Sequence, residues 1–86
     1  MNETEKPATE QVSTILRAAE SMRVQHGPGH KRQEMWHRMA LLLEVIANDQ
    51  KLIDDGVVWS TSIFHKAAIV HAERTASAYL AAVAQS

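Results

Sequence analysis

The stretch "MALLLEVIA", residues 39–47, has Glu44 as its one charged residue and carries large apolar side chains at Met39, Leu41, Leu42, Leu43, Val45 and Ile46. At 100° per residue these six positions occupy most of a helix circumference, whereas a helix with a single buried face needs only one apolar stripe. Such a segment must be covered from at least two sides. Its surroundings therefore have to be other helices, from this chain or from a second copy.

Following the pattern in both directions predicts a helix over residues 30–55. The polar stretch "NDQK" at 48–51 could end it early, but Leu52 and Ile53 resume the apolar pattern and Gly56 is the better stop. Upstream, Pro7 suits a first helical position, and Val12, Ile15, Leu16, Ala19 and Met22 recur at the spacing of an amphipathic helix over 7–25. Gly27 and Pro28 end it, the first by adopting the left-handed cap conformation and the second by lacking an N–H. Downstream, Ser60 is a candidate N-cap with Trp59 stapled to Phe64, opening a helix over 60–84. Ile69, Ala72, Ala76, Tyr79, Leu80 and Val83 form its inward stripe, and eight alanines between Ala67 and Ala84 permit close approach of a neighbouring backbone. Residues 1–6 read as a polar tail. The expected fold is all-α, a single helical domain over 1–86: a long antiparallel hairpin of helices 2 and 3 with a shorter N-terminal helix alongside.

Composition narrows the function classes. The absence of cysteine excludes disulfides and thiolate metal sites and is compatible with a reducing cytoplasm. No apolar run has the length of a signal peptide or a membrane span, so a cytoplasmic protein without a membrane partner is expected. A formal net charge of -1 argues against generic nucleic-acid binding. The charge is nevertheless unevenly placed. Arg23, Lys31, Arg32 and Arg38 outweigh Glu34, and the adjoining Glu44, Asp49, Asp54 and Asp55 outweigh Lys51.

An over-apolar helix 2 and an apolar link, "GVVW" at 56–59, are both relieved by self-association. Val57, Val58, Trp59, Leu41, Val45 and Ile69 are the expected interface of a homo-oligomer. A two-fold antiparallel pairing would set the basic start of one helix 2 against the acidic end of the other.

The second candidate site is "HGPGHKR", residues 26–32. Lys31 and Arg32 fall in the first turn of helix 2, where the helix dipole disfavours cations unless an anion is bound. Arg23, His26, His30, Lys31 and Arg32 could surround a phosphate, with Trp36 or Tyr79 stacking on an attached ring. Against this, basic residues are common in loops, and Arg23 and His26 complete the dipole at the end of helix 1.

Glu34 and His37 have the i, i+3 spacing of carboxylate-bridged metal centres, but the further Glu-x-x-His and glutamates of a di-metal site are missing, so they read as solvated surface residues and no metal or cofactor is expected. His65 and His71 lie on different helical faces, and His71 is expected to be partly buried. Neither a P-loop, a nucleophile elbow nor an HExxH motif is present. The expected function is non-enzymatic: a binding or regulatory homo-oligomer that sequesters or inhibits a macromolecular partner. The alternative is a binder of a phosphorylated, nucleotide-like small molecule at residues 26–32, with a metal-dependent enzyme behind both.

Overall fold

A computed structural model describes residues 8–25, 31–56 and 63–85, and at residues 8, 25, 31–33, 63 and 64 the backbone alone. Three helices follow in order: α1 (Ala8–Gln25), α2 (Lys31–Asp54) and α3 (Ile63–Gln85). The all-α fold, the three helices and the shorter first one agree with the apolar spacing of the sequence. The expected stop at Gly27 and Pro28, the Ser60 cap, the Trp59 to Phe64 staple and the apolar link all lie outside the described residues.

Helix α1 is the centre of the packing. It contacts α2 most extensively and α3 next, while α2 and α3 have the fewest contacts with each other. The hairpin of α2 and α3 is therefore held together chiefly through α1. The cause is in the side chains: α1 contributes Val12, Ile15, Ala18, Ala19 and Met22 to the core, α2 contributes Ala40, Leu43 and Ala47, and α3 contributes Ile69, Ala72 and Ala76. Ile15 and Met22 are the largest fully buried side chains, and they project toward faces of α2 and α3 built mostly of alanine. Small residues on the receiving helices let the backbones approach, so that one row of large side chains fills the space between three helices.

The long version of α2 is correct, with no break at residues 48–51. Asn and Asp interrupt helices when their side chains compete for nearby backbone groups. Here Asp49 and Gln50 are turned to His65 of α3, and the Gln50 amide also donates to Asp54 one turn on, at 2.9 Å. The helix then ends as a left-handed cap. Asp55 N–H donates to the Lys51 carbonyl at 2.9 Å, Gly56 N–H donates to that of Ile53 at 3.1 Å, and Gly56 has φ of 77°.

Two outcomes follow for stability. Ile15→Ala should lower the unfolding free energy by about 3 kcal/mol, read from urea denaturation followed by circular dichroism, because the side chain is fully buried between packed helices. Gly56→Ala should cost about 1 kcal/mol from the left-handed backbone alone, since a Cβ there meets no atom within 4 Å.

Candidate functional site

The outer face of α2 carries large apolar side chains that its own core does not use. Met35, Met39, Leu41, Leu42, Val45 and Leu52 are all exposed, with Leu42 at 60% and Val45 at 57%. On the same helix the residues turned inward are Ala40, Leu43 and Ala47, with Trp36 and Ile46 packed at the margin. α2 thus buries two alanines and one leucine and leaves six large apolar side chains exposed. The spacing explains this: Ala40, Leu43 and Ala47 follow one another at intervals of three and four and fix the inward direction, leaving Leu41, Leu42 and Val45 on the other side. Two shallow grooves lie along the outer face. One of about 430 Å³ is lined by Glu34, Met35, Arg38, Met39 and Leu42, and one of about 350 Å³ by Val45, Ile46, Asn48, Asp49, Leu52 and His65.

Charged groups border these grooves. Arg38 pairs with Glu34 one turn earlier at 3.2 Å, and both side chains are largely in solvent, so the pair adds little stability of its own. Asp49 Oδ2 stands 2.9 Å from His65 Nδ1, and Gln50 Oε1 stands 2.9 Å from His65 Nε2. The His65 ring is only 10% exposed, and these two residues tie the start of α3 to the end of α2. A third groove, of about 490 Å³, runs between α1 and the end of α2. Its floor includes Val12 and Leu16, with Thr9, Ser13, Arg17 and Glu20 of α1 and Lys51, Asp54 and Asp55 at the end of α2 around them.

Of the residues expected around an anion, Arg23, Trp36 and Tyr79 are already engaged with other groups. His26 and His30 lie outside the described residues, as do the side chains of Lys31 and Arg32. Arg23 is engaged with Glu44: its Nη2 donates to Oε1 at 2.5 Å and its Nε to Oε2 at 3.3 Å. This hydrogen bonding raises the guanidinium pKa further above its ordinary value. Trp36 and Tyr79 pack on each other, their ring centroids 5.3 Å apart and tilted by 57°, which closes α2 on α3.

Several single-residue expectations are corrected. Ile69, expected at an oligomer interface, is 5% exposed and belongs to the chain's own core, because its side chain meets the α1 wedge. His71 is exposed, and the enclosed histidine on α3 is His65; its acidic partner is on α2, four dozen bonds away along the chain and invisible to spacing rules. His37 is not a solvated residue: its Nε2 is buried and has no hydrogen-bond partner among the described residues. Glu73, which the sequence did not single out, is buried at 9% exposure and accepts a hydrogen bond from Ser77 Oγ at 3.0 Å. The i, i+4 spacing of Glu73 and Ser77 was the available signal. Among the described residues no group of three or more His, Asp or Glu could hold a metal ion, and no helix is long and apolar enough to cross a membrane.

Against family models, curated proteins and solved structures, the chain finds no match.

Tyr79→Ala should destabilise the fold by about 2 kcal/mol through loss of the ring pair and its buried area. In a Trp59→Phe background the same change should shift Trp36 fluorescence to longer wavelength, since the indole loses its aromatic cover.

Proposed function

We propose that this chain is a non-enzymatic binding or regulatory protein of the cytoplasm that works as a helical homo-oligomer and sequesters a macromolecular partner. The observation that supports the reading is the outer face of α2, where six large apolar side chains remain exposed while Ala40, Leu43 and Ala47 fill the inside. Single exposed apolar residues are ordinary on protein surfaces. A contiguous row along one helix, bordered by the paired charges of Glu34, Arg38 and Asp49, has the composition of an interaction surface.

The nucleotide-like alternative draws less support. Its one described cation, Arg23, already holds a carboxylate through two hydrogen bonds, and its two stacking rings occupy each other. A ligand there would have to displace Glu44 from Arg23 and open the Trp36 and Tyr79 pair. The cost of both steps weighs against that site.

Light scattering tests the reading directly. The expected mass is a multiple of one chain, and Leu42→Glu should return it to that of a single chain without loss of helical circular dichroism, because Leu42 takes no part in the core. A single-chain mass for the unaltered protein at high micromolar concentration would end the proposal.

A further inference from the structure

The outer face of α2 is complementary to itself, and its register can be read residue by residue. Met35, Arg38, Leu42, Val45, Asp49 and Leu52 follow one another at alternating intervals of three and four, which is the seam of a left-handed helix pair. The described members of this row are exposed or half exposed and lie opposite the buried Ala40, Leu43 and Ala47. The seam is about 25 Å long at the α-helical rise of 1.5 Å per residue.

Resting on the homo-oligomer reading above, we infer that two copies pair through antiparallel α2 helices about a two-fold axis midway between Leu43 and Glu44. In an antiparallel pair the seam positions of one helix meet those of the other in reverse order. Met35 then faces Leu52 of the partner subunit, Arg38 faces Asp49 of the partner subunit, and Leu42 faces Val45 of the partner subunit. The three reciprocal contacts follow from the two-fold axis. Every layer matches, apolar with apolar and cation with anion. A parallel pair of the same seam would instead stack Arg38 on Arg38 of the partner subunit and Asp49 on Asp49 of the partner subunit, placing like charges together at two layers.

The two grooves of the face agree with this register. Reversal about the same axis carries the positions of the first groove, 34, 35, 38, 39 and 42, onto 53, 52, 49, 48 and 45, and four of these five line the second groove. Each groove is thus the receiving site for side chains that flank the other. Leu52 and Val45 of the partner subunit enter between Met35, Arg38, Met39 and Leu42. By symmetry, Met35 and Leu42 of the partner subunit lie over Val45, Asp49, Leu52 and the ring of His65. Asp49 serves both purposes at once, with one carboxylate reaching His65 in its own chain and Arg38 of the partner subunit. Arg38 is 77% exposed and, among the described residues, is held by a surface pair with Glu34, so it can turn to the new partner at little cost.

The chain has no cysteine, so introduced thiols report the register directly. Met35→Cys and Leu52→Cys are prepared as separate full-length variants and oxidised alone and as an equimolar mixture. The expected result is a disulfide-linked dimer that forms in the mixture several times more than in either variant alone, together with a dissociation constant raised about tenfold or more by Arg38→Asp, which sets two carboxylates together at two symmetric places. Ready cross-linking of each variant alone would show a parallel pair and overturn the register. A dimer by light scattering that forms no cross-link in any combination would place the contact on another face and overturn it equally. In both of these results the homo-oligomer reading survives, whereas a monomer by light scattering removes the reading and this inference together.

Discussion

The packing of one row of large side chains from α1 into alanine-lined faces of α2 and α3 is the constraint on which the rest of the structure depends. Ile15 and Met22 are fully enclosed, and they are enclosed because Ala40, Ala47, Ala72 and Ala76 leave room for them. Close packing of this kind is sensitive to volume on both sides. Enlarging an alanine would push the helices apart, and shortening Ile15 would leave a void that the neighbours cannot fill. In a chain of 86 residues without cysteine, such a core has to supply the stability without a disulfide.

That arrangement has a consequence on the outside of α2. With the inward direction of α2 set by Ala40, Leu43 and Ala47, Leu41, Leu42 and Val45 are turned to solvent together. The exposed part of these side chains contributes nothing to the stability of one chain, since the hydrophobic contribution comes only with removal of surface from water. The polar contacts around them have the opposite character. His65 is locked between Asp49 and Gln50, and Arg23 is fastened to Glu44. Paired charged and polar groups beside a row of unburied apolar groups make a surface with a free hydrophobic driving force.

How much of this was legible in the amino-acid order differs from one feature to the next. The helices were legible because apolar spacing and the Gly56 stop are local, and local rules govern them. The continuity of α2 across residues 48–51 was legible only from the resumption at Leu52 and Ile53; what removes the competing turn is His65, which takes up Asp49 and Gln50 from another helix. The candidate site divides in the same way. That α2 was too apolar for one buried face was visible in "MALLLEVIA", but the assignment of Ile69 to a shared interface failed because an inward stripe and an outer stripe look alike until the partner helix is placed. His71 and His65 were likewise indistinguishable by spacing, and the acidic partner of His65 decided between them.

The sequence by itself determined that this protein is built of three helices, approximately where each begins and ends, and that its second helix has more apolar surface than one contact can cover. Those properties follow from periodicity, capping and the absence of cysteine, all of which act over a few residues. Only the tertiary structure decided that α1 rather than α3 is the main support of α2, that Ala40, Leu43 and Ala47 face in while Leu41, Leu42 and Val45 face out, and which charges are already paired. These depend on the direction in which each helix is rotated about its own axis. Rotation is fixed by the fit of side chains from three separate segments, a property of their joint packing that no single segment contains.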